Sequence, residues 1–219
     1  EGEYQQQVKS GIEFLLKAMR QHPKNGNDLR DGSLPMAAMY VQGMASTALS
    51  EALAMTHDSS LYEPAQGAVD FIVWAQDPRG GGCRYEPRTT GDTSVVGWQA
   101  MALMSAHVAE LRVPTQTIDK ALVFLGSVES RGSMGFGYQS HSSRPSTTAI
   151  GLLCRMYLLP RSTRESFAGG ARVLSGLGPS RDDMYYNYYA TQFMHHYGGD
   201  EWEKWNEQMR DWLVATQET

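Results

Sequence analysis

Three groups of residues in this chain have the types and spacing that chemistry requires. The first lies in GGGCRYEPRTTGDTSVVGWQAMALMSA (80–106), where Arg84, Tyr85 and Glu86 precede Asp92. A forked guanidinium such as Arg84 recognises a diphosphate or carboxylate, and it equally ties a loop down by pairing with Glu86 or Asp92. The second is Asp182-Asp183, followed by Tyr185, Tyr186, Asn187, Tyr188 and Tyr189, the densest polar cluster in the chain. The third is Arg155, set between Cys154 and Met156, where a charge withdrawn from water needs a protein acid or a ligand. Asp92, Asp182 and Asp183 are thus the candidate catalytic acids. Asp92 and Asp183 also stand before helical runs, where a carboxylate caps backbone N–H groups at the positive helix end. Capping is the simpler role for both.

Other chemistries find less support. The two cysteines, Cys83 and Cys154, lie in no CxxC motif, and Cys154 in IGLLCRMYLL reads as a buried free thiol. His195 and His196 are adjacent, so on a helix they diverge by about 100° and cannot chelate one ion as an i, i+4 pair does. His107 and His141 lack metal-ligand spacing, so no metal and no cofactor is expected. There is no G-x-S-x-G nucleophile elbow.

At 219 residues and 41% hydrophobic, the chain can bury its core as a single domain spanning 1–219. Its net charge is −5, with Lys and Arg scattered, which argues against a nucleic-acid partner. No apolar run reaches the length of a membrane-spanning helix, and EGEYQQQVKS does not read as a signal peptide. The compartment is left open.

Helices must position these groups. Gly43, Gly97 and Gly151 recur at 54-residue intervals inside apolar runs, and Ala190 takes the same place 39 residues later. A second helix type alternates with them, around Phe14, Phe71, Phe124, Val173 and Trp212. Ile12, Leu15, Leu16 and Met19 form a helical stripe, and Val69, Ile72 and Val73 begin another. Strands are poorly supported. Asp92, Ser146, Asp183 and Ser33 before Pro35 read as helix starts, and Gly132 and Pro160 as stops. A helical glycine costs about 1 kcal/mol against alanine, so three in register point to close helix packing.

These residues carry a family resemblance. The chain resembles the squalene/hopene cyclase and protein prenyltransferase superfamily, and within it bacterial cyclase-like proteins with a GGGWRY…GDTSV.GWQ.MAL pattern. Phe71-Ile72, Gln76 and Gly80 keep the spacing of the cyclases' QW motif, but Gly82 stands where that motif has tryptophan. Trp212-Leu213 with Gln217 begins another copy, so the chain is expected to be a fragment of a longer protein. The resemblance implies an all-α fold, an α/α toroid of inner and outer helices, incomplete or reduced with nine helices.

The resemblance also implies what is missing. The cyclase proton-donor motif D-x-D-D-T-A falls on Thr89-Thr90-Gly91-Asp92, with glycine in the donor's place. Cys154 lacks the Asp two residues before it that a prenyltransferase zinc site would have. The thioester motif of complement-type toroids is absent, since Arg84-Tyr85-Glu86 follow Cys83. The expectation is therefore binding rather than catalysis, in an aromatic-lined concavity holding an isoprenoid-like apolar molecule or a protein partner. The candidate ligand-binding residues are Arg84, Tyr85, Trp98, Tyr138, Arg155, Tyr185, Tyr186, Asn187, Tyr188 and Gln192. The alternatives are a cyclase or prenyltransferase-type enzyme with its acid moved to Asp182 or Asp183, a protein-interaction scaffold, and a polysaccharide-active toroid.

Overall fold

The computed structural model describes residues 2–22, 24–30, 36–131, 134–159 and 161–217. The protein is all-α. Among the described residues there are nine α-helices: α1 (Gln5–Ala18), α2 (Ala38–Thr56), α3 (Tyr62–Ala75), α4 (Thr93–Val108), α5 (Thr115–Val128), α6 (Pro145–Leu158), α7 (Arg164–Leu177), α8 (Met184–Tyr197) and α9 (Gly199–Thr216). Each helix centre read from the sequence falls inside one of them. The Phe14-type centres occupy α1, α3, α5, α7 and α9, and the glycine-type centres occupy α2, α4, α6 and α8. No helix among the described residues is long and apolar enough to cross a membrane.

Strands do occur, contrary to expectation, as one short hairpin of β1 (Arg20–His22) and β2 (Gly26–Asp28). The missed signal is Asn25-Gly26. Gly26, the first residue of β2, sits at φ +82°, a left-handed conformation that glycine adopts without steric cost. A side chain there would also strike the α3 backbone at Gly67 and Phe71. The expected start at Ser146 needs correction too. α6 begins at Pro145 with Arg144 as N-cap, because the proline ring presets the helical φ at the first position. Ser33, Pro35, Gly132 and Pro160 lie outside the described residues.

The chain divides into two compact units, Glu1–Phe124 and Leu125–Thr219. In the first, Leu49 and Leu53 of α2, Val69 and Ile72 of α3, and Leu103 of α4 build the core. Ile12, Leu15 and Leu16 of α1 and Met19 just after it pack on the core while remaining partly buried, and Phe14 is 67% exposed. In the second unit the buried side chains come from α6 (Ile150, Leu152, Leu153), α7 (Phe167, Leu174), α8 (Tyr189, Phe193) and α9 (Trp205).

Two of the three recurrent helical glycines, Gly43 and Gly151, have the packing role inferred for them. A β-carbon on Gly43 of α2 would come within 2.9 Å of the Trp98 β-carbon on α4. One on Gly151 of α6 would overlap the Phe136 ring. Each glycine therefore admits a bulky neighbour against the helix backbone.

Candidate functional site

The segment between α3 and α4 is a folded-back loop held by its own backbone. Asp77 N–H donates to the Gly82 carbonyl at 2.8 Å, and Asp92 N–H donates to the Cys83 carbonyl at 2.9 Å. Buried Gln76 donates to the Gly81 and Thr117 carbonyls at 2.8 and 2.9 Å, fastening the loop to the start of α5. The two arms of the loop meet at Gly82 and Gly91. A β-carbon on Gly91 would lie 2.5 Å from the Gly82 α-carbon and 2.7 Å from the Cys83 nitrogen. One on Gly82 would lie 2.7 Å from both the Gly91 α-carbon and the Phe124 ring. Side chains are excluded from both positions by main chain, so an acid at 91 and an indole at 82 have no space here.

Asp92 is fully buried, and its Oδ1 accepts from the Val95 N–H at 2.9 Å as the N-cap of α4. Arg84 brings Nε within 3.8 Å of the other carboxylate oxygen and lies over the Tyr85 ring at 5.3 Å. Tyr85 in turn lies 6.1 Å from the ring of Tyr40. Arg84, Tyr85 and Asp92 thus converge, and the arginine faces a protein carboxylate. Trp98, half-buried, is the residue that presses on Gly43.

The loop before α6 repeats this construction. Ser130 N–H donates to the Gly135 carbonyl at 2.9 Å and Arg144 N–H to the Phe136 carbonyl at 3.3 Å. Gly135-Phe136-Gly137-Tyr138 therefore matches Gly82-Cys83-Arg84-Tyr85, and half-buried Tyr138 takes the place of Tyr85. Arg155 finds a protein acid: Glu129 accepts from both of its terminal nitrogens at 2.8 and 2.7 Å. The guanidinium lies 4.9 Å from the centre of the Phe136 ring. Glu129 was missed in the sequence because 26 residues separate it from its partner.

In the tyrosine cluster, Asp183 caps α8 by accepting from the Tyr186 N–H at 2.8 Å, while Asp182 is exposed. Asn187 is fully buried and clamps Ser180, accepting its N–H and donating to its carbonyl, each at 2.8 Å. The Tyr186 hydroxyl donates to the Gly178 carbonyl at 3.1 Å, and its ring meets Trp205 edge-on at 5.9 Å. Burial first, then the Asp183 charge, raises the Tyr186 pKa. Tyr185 packs edge-on against buried Tyr189 at 5.2 Å, and burial raises the Tyr189 pKa as well. Tyr188 is exposed, and Gln192 donates back to its carbonyl at 3.3 Å. Tyr157 of α6 contacts His196 Nε2 at 3.0 Å and donates to Gln192 at a marginal 3.5 Å. The cluster is mostly interior structure, with Asp182 and Tyr188 exposed.

Both thiols are buried, and burial pushes each pKa up to about 12; the Asp92 and Asp77 charges add to this at Cys83. Among the described residues, no group of three or more His, Cys, Asp or Glu gathers into a metal-binding arrangement.

A cavity of about 400 Å³ opens in the second unit between the end of α6 and the start of α7. Met134, Phe136, Leu152, Leu159 and Phe167 supply its apolar walls, and Arg155, Arg161, Ser162 and Ser166 its polar ones. Of the ligand-binding residues expected from the sequence, Arg155 alone lines it. The volume falls within the roughly 300–1,000 Å³ of small-molecule pockets. Comparison with family models, curated proteins and solved structures gives no match to this chain.

Proposed function

We propose that the protein is an α/α-toroid-type domain, similar to the squalene/hopene cyclases, that binds an apolar isoprenoid-like molecule without cyclising it. The observation that carries this reading is the Gly82–Gly91 contact. Proton-initiated cyclisation needs a carboxylic acid poised by a neighbouring carboxylate and hydrogen bonds. At the matching place in this chain, main chain meets main chain, and the adjoining Asp92 is engaged as a cap beside Arg84. The recurrent loop before α4 and α6 and the alternation of helix types support the toroid assignment. An apolar-walled cavity with no acid on its walls supports binding over proton transfer.

The test has two parts. Purified protein incubated with squalene or oxidosqualene should release no cyclic triterpene, and farnesol should bind saturably in equilibrium dialysis. Cyclic product formed with steady turnover would overturn the proposal, as would farnesol uptake that never saturates.

A further inference from the structure

The cavity between α6 and α7 has a definite electrostatic character. Its floor is apolar, formed by Phe136, Leu152 and Phe167. Two arginines reach it, and they differ. Arg155 is neutralised by the bidentate contact with Glu129. Arg161 is exposed at the rim and forms no ion pair or hydrogen bond among the described residues. Ser162 and Ser166 share that rim, but their hydroxyls already serve the turn: Ser162 donates to the Leu159 carbonyl at 2.8 Å, and Ser166 contacts the Thr163 hydroxyl at 3.1 Å. α7 starts three residues beyond Arg161, at Arg164. The site therefore pairs one uncompensated positive charge with a greasy floor.

Resting on the reading that this domain binds an apolar molecule, we infer that the occupant of this cavity is a monoanionic amphiphile, a carboxylate carried on an aliphatic or isoprenoid tail. The tail lies against Phe136, Leu152 and Phe167, and the carboxylate meets the Arg161 guanidinium in a forked, charge-assisted contact. One net positive charge matches one negative charge. A cationic head group would face Arg161 as a like charge, and a neutral one would forgo the stronger hydrogen bonds.

Calorimetric titration of the full chain with decanoate, 1-decanol and decyltrimethylammonium, each below its micelle concentration, tests this. Decanoate should bind about tenfold tighter than decanol, the gain expected of a charge-assisted hydrogen bond, with decyltrimethylammonium the weakest. Arg161→Gln should bring decanoate close to decanol and leave decanol unchanged. Ser166→Trp, which fills the mouth from an exposed position, should weaken both by about tenfold or more. Thermal melts of each variant show that it is folded. Equal affinities for the three probes would overturn the anionic assignment and leave apolar binding standing. Tight decanoate binding that survives Ser166→Trp would overturn the placement in this cavity. Absence of binding by both decanoate and decanol would overturn the inference, whereas farnesol dialysis judges the broader reading separately.

Discussion

A carboxylic acid protonates carbon only when it is held in its protonated form with the proton aimed at substrate. Asp92 is instead engaged within the protein, its Oδ1 accepting the Val95 N–H and its Oδ2 lying 3.8 Å from Arg84 Nε. Moving an acid to position 91 would force a side chain into the Cys83 backbone. Gly91→Asp should therefore destabilise the fold by about 3 kcal/mol or more in urea denaturation and gain no cyclase activity. The thiols allow a second check. With both pKa values pushed up to about 12 and both sulfurs buried, a thiol-specific disulfide reagent at pH 8 should leave Cys83 and Cys154 unreacted until denaturant is added. Rapid reaction of the native protein would contradict the packing described.

At the scale of elements, caps and clamps decide the local order. Asn187→Ala removes two hydrogen bonds from half-buried backbone at Ser180 and should cost about 1–3 kcal/mol, read from the urea midpoint. Asp183→Ala should cost about 1 kcal/mol as a lost cap. A pH effect belongs to the α6–α8 contact at Tyr157 and His196. Burial, then the neighbouring His195, lowers the folded pKa of His196 below 6.5. The unfolded chain then binds the proton more readily, so this contribution is complete above pH 6.5 and is lost as pH falls from 6.5 through the folded value. His196→Gln should flatten the stability profile in that window. Every helix was legible in the sequence, because apolar spacing and recurrent glycines report burial directly. The hairpin was not, since its strands are too short to show alternation and rest on one left-handed glycine. The cavity was equally hidden: it depends on Met134 and Phe136 from the segment before α6 and Phe167 from α7 meeting around Leu152.

At the largest scale, each of the two units buries apolar side chains of its own. Leu49 in the first unit and Leu153 in the second are both fully buried, and replacing either with alanine should cost about 2–5 kcal/mol. Hydrogen exchange read unit by unit shows where each loss is felt. The sequence located chemistry in Arg84, Asp92 and the tyrosine cluster, since residue type is visible there. In the fold these groups mostly serve one another, and the open space lies beside Arg155. Residue type reports what a side chain can do, but only packing reports what it is already doing.

The Gly82–Gly91 contact has a consequence for how this chain can vary. Each glycine is required because the other arm of the loop passes against it, so the two positions are not independent. Alanine at either one must push the arms apart, and alanine at the second then enters a gap already opened. The double substitution should therefore cost less than the two single costs added together, a coupling typical of residues in direct contact. A history of single substitutions meets its barrier at the first step, whichever glycine changes first. Side-chain chemistry reaches this loop only by a route that alters both arms together.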